Sequence, residues 1–411
     1  MMITTFEHGC LTEQDFAVAS DFTWLMEQVE QDLPIFNVVR KNGKWQIKAK
    51  HYLAMIGLPS GQQLQILPKI HHENLADTEK YLNLMFLDIL QSQTYVNPKV
   101  LPNLTQANPN LLLKNQQNFN FLNILQQHFY QLFLTYQTNQ QYQRFDENQP
   151  FLQGKLLLKQ QLQYNHPQHH KFFNQIEQFV QDTGCNRLVK STAIFLQLNQ
   201  LVTMQNWQNL AKISNLANLF QASFQAKIAQ ELALLNPMQR QINEKLINFC
   251  LWIWQAKIYQ QNFSNNSPNQ NQWALMWDMN ALFELWLSVK LPQVFAKTDK
   301  DFEILYQQNQ DFVFDNEQKS LKNIRPDFVI KSAKKTVVID AKWKNVVNFE
   351  QIAMTDLYQI IVYAEQVGAE EAWLVFPTVE PGRQVEEFFV KNQQIRFFIV
   401  PFDVNMGQLK I

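Results

Sequence analysis

The sequence predicts an α/β (α+β) multidomain protein, and three patterns predict it. Short apolar runs of period two fill the N-terminal part, apolar residues at helical spacing dominate the middle, and the C-terminal part alternates the two. The boundaries read as a mixed β/α region at 1–150, a mainly helical region at 151–262 and an α/β domain at 270–411. The polar stretch NFSNNSPNQNQ at 262–272 has no periodicity and serves as the linker. Hydrophobic residues make up 46% of the 411 positions and charged residues 17%, which excludes a mostly disordered chain. With 32 Phe and 10 Trp there is material for sizeable cores.

In chain order, Asp32–Arg40 and Lys44–Lys50 read as strands around a Lys41-Asn42-Gly43-Lys44 turn. HYLAMIGL and QQLQILPKI form a second strand pair around Pro59-Ser60-Gly61. Helical spacing follows at Thr78–Gln91 and Asn118–Gln137. Residues 144–165 look extended. Helices are predicted at Phe172–Gln181, Leu188–Met204, Trp207–Ala233 and Pro237–Gln260. In the C-terminal domain a helix at Trp273–Lys290 precedes strands at Phe302–Tyr306, Phe312–Phe314, Pro326–Ile330 and Thr336–Trp343. A helix at Ala353–Glu365 and strands at Glu371–Phe376 and Arg396–Pro401 complete a helix–strands–helix–strands order, which fits a mixed sheet with helices on its faces.

Several function classes are excluded. Only 9 glycines occur, and none are spaced for a dinucleotide or phosphate-binding loop. Cys10, Cys185 and Cys250 lie far apart, so neither a zinc cluster nor a disulfide framework is expected. The start MMITTFEHGCLTEQ has no basic stretch leading into an apolar one, and no apolar run reaches membrane-spanning length. The expectation is a cytoplasmic protein away from membranes. A net charge of −1 excludes a globally basic nucleic-acid binder but leaves room for a local patch. His166, His169 and His170 read as a surface loop, and the Trp252/Trp254 and Trp273/Trp277 aromatics as packing.

The informative segment is Ile324–Lys344, IRPDFVIKSAKKTVVIDAKWK. Two β-rich runs flank the turn Ser332-Ala333-Lys334-Lys335. A symmetric hairpin about that turn sets Asp327 opposite Asp340, with Cβ atoms roughly 4.5–5.5 Å apart. Lys342 is two residues beyond Asp340 and shares its face. Two facing carboxylates repel and call for a cation. Mg2+ suits them, with Mn2+ as a substitute, because it takes hard oxygen ligands plus water and phosphate. Residues 319–344 hold eight basic side chains against two acidic ones, a surplus that suits either a phosphate backbone or a solvated strand edge.

Pro326-Asp327 followed by Asp340-x-Lys342 resembles the Pro-Asp…(Asp/Glu)-x-Lys pattern of the PD-(D/E)XK nuclease superfamily. That superfamily places a helical Glu before the sheet, and Glu284 within MNALFELWLSVKL answers to it. Gln359 and Tyr363, four apart on one helical face, resemble the pair beside the site in the RecB-like branch. Beyond these, Met279-Asn280-x-Leu282-Phe283-Glu284, Arg325-Pro326-Asp327, Asp340-Ala341-Lys342-Trp343-Lys344 and Asp356…Gln359…Tyr363 resemble the McrC family. GLPSGQQLQILPKI, FLQGKL at 151–156 and NRLVK at 186–190 add weaker matches in the N-terminal part. McrC proteins are the nuclease subunits of McrBC-type, methylcytosine-dependent restriction systems, LlaJI-like relatives among them.

The resemblance implies catalytic Asp327, Asp340, Lys342 and Glu284, metal at Asp327 and Asp340, and support from Gln359, Tyr363, Arg325 and Lys344. It implies a restriction-endonuclease-like C-terminal domain that cuts double-stranded DNA carrying modified cytosine, in defence against phage. It also implies a partner, a McrB-like AAA+ GTPase hexamer, met through the N-terminal region and stimulated in its GTP hydrolysis. The missing phosphate loop agrees, since this chain has no such route to GTP. The rival reading is a non-catalytic adaptor that only activates the partner.

Overall fold

The computed structural model describes residues 2–30, 33–41, 43–70, 74–92, 121–166, 170–198, 225–256, 273–298, 301–314, 320–391 and 394–410. The first part holds β1 (Met2–Phe6), β2 (Cys10–Leu11), α1 (Ala19–Glu30), β3 (Phe36–Lys41), β4 (Lys44–Ala49), β5 (Tyr52–Gly57), β6 (Gln63–Leu67) and α2 (Leu75–Ser92). The middle holds α3 (Phe121–Thr135), β7 (Gln141–Gln149), β8 (Lys155–Leu156), α4 (Leu158–Asn165), β9 (Phe172–Val180), α5 (Gly184–Leu198), α6 (Gln225–Ala233) and α7 (Pro237–Ala256). Next come β10 (Trp273–Asp278), α8 (Met279–Thr298), β11 (Phe302–Tyr306), β12 (Gln310–Phe314), β13 (Ser320–Ile324), β14 (Phe328–Ser332) and β15 (Thr336–Ala341). The chain ends with α9 (Met354–Val367), β16 (Glu371–Thr378), β17 (Glu386–Phe388), β18 (Arg396–Asp403) and β19 (Gln408–Leu409). No helix among the described residues is long and apolar enough to cross a membrane.

These elements form two compact units, Met1–Phe121 with Trp252–Ile411, and Leu122–Leu251. That division differs from boundaries at 150 and 262. The reason is β10, which pairs antiparallel with β5 from Trp273↔Gly57 to Asp278↔Tyr52 and completes a sheet of order β1-β6-β5-β10. A second sheet, β2-β4-β3, and α1 share its core, with Leu25, Ile35, Ile47, Ile56 and Leu64 fully buried.

The largest sheet of the first unit is seven-stranded, β11-β14-β15-β16-β18-β17, with β19 on β18. It is mixed: β15, β16 and β18 run parallel, and β11, β14 and β17 antiparallel to their neighbours. The central strand β16 is buried at every position, as a strand covered on both faces must be. α9 is the crossover from β15 to β16 and stops at Gly368, whose φ of 67° suits the left-handed cap. This is the mixed sheet expected of 270–411.

In the second unit β7, β9 and β8 form a three-stranded sheet. Tyr136 and Asn139 bond to Asn186, and Asn139 also to Asn243. Cys185 and Cys250 are buried free thiols, and Cys10 is exposed and free.

Four readings of the sequence are corrected. Phe172–Gln181 is a strand, because its apolar residues satisfy either period and pairing with β7 decides. Trp273–Lys290 is a strand and then a helix. Asp278 separates them, its Oδ1 accepting from the N–H of Asn280 at 2.7 Å as an N-cap. Residues 158–165 are helical rather than extended, and α1 was not foreseen. The linker at 262–272, most of Trp207–Ala233, the last residues of Leu188–Met204, His169 and Lys319 lie outside the described residues. Trp252 and Trp277 pack as expected, with ring centres 5.2 Å apart.

Candidate functional site

The hairpin of β14 and β15 has the register that the symmetric turn demands. Phe328 pairs with Ile339 and Lys331 with Thr336, so the next pair outward is Asp327 with Asp340. Asp327 lies just before β14, where the ladder gives way to a side-chain bond: its Oδ2 accepts from the N–H of Ala341 at 2.8 Å. On the other side, the N–H of Gln307 donates to the Asp327 carbonyl at 2.9 Å. Asp340 is 1% exposed, within a strand that pairs with β16 at Leu374.

Lys342 leaves the end of β15 on the Asp340 side. Its Nζ lies 2.7 Å from Asp340 Oδ2 and donates to Gln359 Oε1 at 3.0 Å. Gln359 Nε2 donates in turn to the Tyr363 hydroxyl at 2.8 Å. The i,i+4 pair on α9 is thus a bracket on the lysine. Lys344 pairs with the buried Asp356 at 2.6 Å, one turn before Gln359. Glu284 reaches the cluster from α8, a helix apolar on most sides, and accepts from Gln307 Nε2 at 2.7 Å. Arg325 is exposed, and its charge is felt at Glu284 and Tyr306.

Electrostatics mark the cluster. Burial raises Asp327 well above the usual carboxylate range, and the charges of Asp340 and Glu284 add to it. Burial also raises Asp340, against the pull of the Lys342 ammonium, and raises Glu284. Burial works against the Lys342 ammonium, but the carboxylates of Asp340, Asp327 and Asp356 outweigh it and hold the lysine protonated above its ordinary range.

A divalent cation fits this donor set. Asp340 Oδ2 has the Lys342 ammonium 2.7 Å away and no further hydrogen-bond donor among the described residues, so it keeps a lone pair for a cation. Among the described residues no group of three or more His, Cys, Asp or Glu forms a ready metal cage. Mg2+ needs none, since one or two carboxylates with water and phosphate suffice. Asp327 and Asp340 would hold it.

Every residue the sequence singled out for the site stands in or beside this cluster. Gln307 and Tyr306 were missed. Gln307 lies beyond a strand end with φ 44°, and its sequence neighbourhood, YQQNQ, carries no signal.

Fold and site together define a mixed α/β protein whose largest sheet carries a buried and a half-buried aspartate against a lysine. Residues 47–377 match the family model of the McrBC 5-methylcytosine restriction system component, and the chain belongs to that family. A chain in a refined half-complex from a tetradecameric assembly of Thermococcus gammatolerans McrB AAA+ hexamers with bound McrC has a similar fold. The TM-score is 0.57 at 16% identity, over 99% of this chain and 98% of that one. A chain of a cryo-EM structure of the Thermococcus gammatolerans McrBC complex aligns over 71% of this chain and 90% of its own, at 16% identity and a TM-score of 0.40. No curated protein sequence matches.

Proposed function

We propose that this chain is the DNA-cutting subunit of a modification-dependent restriction complex. Its site hydrolyses a phosphodiester of double-stranded DNA, with Mg2+ or Mn2+ held by Asp327 and Asp340. The observation that carries the reading is the meeting of Asp327, Asp340 and Lys342 on one end of one hairpin, bracketed by Glu284 and Gln359.

The bound metal supplies polarisation of a phosphoryl oxygen and a bound water of lowered pKa. Asp327 is fixed by the N–H of Ala341, so its carboxylate needs no reorganisation to serve as a ligand. Lys342 is held charged between Asp340 and Gln359, placed to orient the attacking water and to offset charge developing on phosphate. Glu284, raised in pKa, is suited to take or hold a proton at the rim of the cluster. The exposed Arg325 faces outward with Lys322 and suits the phosphate backbone.

We take the partner to be a AAA+ GTPase hexamer; the reading is supported by the fold shared with a chain of an assembly of McrB AAA+ hexamers with bound McrC. We assign the docking to residues 1–150 and the recognition of modified cytosine to the complex. The test uses the full chain with its GTPase partner and methylated double-stranded DNA. Asp340→Ala should end cleavage while stimulation of GTP hydrolysis stays at the wild-type level. Undiminished cleavage would leave the adaptor reading in place.

A further inference from the structure

Glu7 lies at the end of β1 and is 4% exposed. Its Oε2 accepts two hydrogen bonds, from the indole Nε1–H of Trp343 at 2.9 Å and from the backbone N–H of Lys69 at 2.9 Å. The other oxygen, Oε1, is buried and receives no hydrogen bond among the described residues. Two sequence motifs from opposite ends of the chain, LPKI at 67–70 and DAKWK at 340–344, therefore meet on one carboxylate oxygen.

Trp343 is 2% exposed and is gripped on several sides. Its ring lies 5.3 Å from that of Phe283 and 6.4 Å from that of Tyr81. Tyr81 is fixed in turn by its hydroxyl, which donates to the Ile70 carbonyl. Phe283 immediately precedes Glu284, and Trp343 immediately follows Lys342. The indole is thus a spacer between the helix that carries the acid and the strand end that carries the lysine. An indole in a packed pocket keeps its ring plane through its one donor, and Glu7 supplies that acceptor.

We propose that Glu7 is a positioning residue of the nuclease centre: through the Trp343 indole it sets where Lys342 and Glu284 stand relative to each other. The inference rests on the nuclease reading above. It makes the N-terminal strand part of the catalytic architecture rather than only a docking element. Glutamine at position 7 keeps an amide oxygen that can accept both bonds, whereas leucine leaves the indole and the Lys69 N–H without an acceptor.

The experiment measures single-turnover cleavage by the full chain with its GTPase partner, as a function of Mg2+ concentration. Glu7→Gln should cut at nearly the wild-type rate. Glu7→Leu should lose about tenfold or more in maximal rate, because small misplacements at a reacting centre are expensive. The Mg2+ concentration at half-maximal rate should stay unchanged, since the ligands Asp327 and Asp340 do not move. Trp343→Phe keeps an aromatic ring without the N–H and should reproduce the loss, and it carries the test if Glu7→Leu fails to fold. The double variant Glu7→Leu/Trp343→Phe should be no worse than the single ones. Wild-type cleavage by both single variants, or a metal requirement that shifts in step with the rate, would overturn the proposal. Lys342→Ala is the control: if it cuts at the wild-type rate, the nuclease reading itself fails; if it is severely impaired while Glu7→Leu and Trp343→Phe cut normally, only the positioning role fails.

Discussion

Two regions of this molecule bury carboxylates, and they do so in opposite ways. In the unit of residues 122–251, Glu231 is 8% exposed, and both its oxygens are spent: the N–H groups of Gly184 and Cys185, at the start of α5, donate to it at 2.8 Å each. Helix N-termini leave such donors unpaired, and an anion there is stabilised. A Cβ on Gly184 would stand 3.1 Å from the Glu231 carboxylate, so the fit is close. In the other unit Asp327, Asp340 and Glu284 are brought together so that each raises or meets the charge of another. Burial of an acid is thus common to structure and site. What separates them is whether the surrounding donors neutralise the charge or leave it for something else to bind.

The sharpest way to break this contrast is to remove the cation inside the acid cluster. Lys342→Ala should lower DNA cleavage on the order of 10²–10³-fold, the usual loss of one preorganised charge-stabilising group, in a quantitative cleavage assay with the partner present. Glu231→Ala should behave in the opposite manner. It strands two buried N–H groups, so denaturant melts should show a loss of about 1–3 kcal/mol, with cleavage per folded molecule unchanged. A catalytic defect in Glu231→Ala, or a stability defect alone in Lys342→Ala, would dissolve the distinction.

A smaller effect lies in the pH dependence of metal-free protein. Asp327 has a folded pKa above its unfolded value, so the folded state holds its proton longer. Its contribution to stability is therefore undiminished below the unfolded pKa of roughly 3.9 and falls as pH rises toward the folded pKa. Asp327→Asn removes that loss. Relative to wild type the variant should gain stability between pH 4 and neutrality, by on the order of 0.2–1 kcal/mol from the facing pair, and gain nothing in acid. Melting curves of the two proteins across that range decide it.

The hairpin was legible because its turn is short and symmetric, so the two strands could pair in one register only, and strand alternation then placed Lys342. Gln359 and Tyr363 were legible for the same kind of reason, a local helical period. The parts that were not legible depend on pairing between distant segments. β10 belongs to a sheet otherwise built from residues 2–67, and nothing in WALMWD announces its partner β5. Phe172–Val180 carries apolar residues that fit either period until β7 fixes it as a strand. Gln307 and Glu7 act through one or two hydrogen bonds made across the fold, and such bonds leave no periodic trace in sequence.

The most direct test of the central claim is the stabilisation that a divalent cation confers on the isolated full chain, followed by thermal melting against Mg2+ or Mn2+ at neutral pH. A ligand at about 100 times its dissociation constant stabilises the native state by roughly 2.7 kcal/mol. Wild type should gain much of that, while Asp327→Asn and Asp340→Asn should gain far less; Asp327→Asn begins as stable as wild type or slightly more so, whereas Asp340→Asn begins less stable because it leaves the Lys342 ammonium without its charged partner. Equal metal-induced shifts in all three proteins would contradict the account, since the facing carboxylates would then not be what the cation binds.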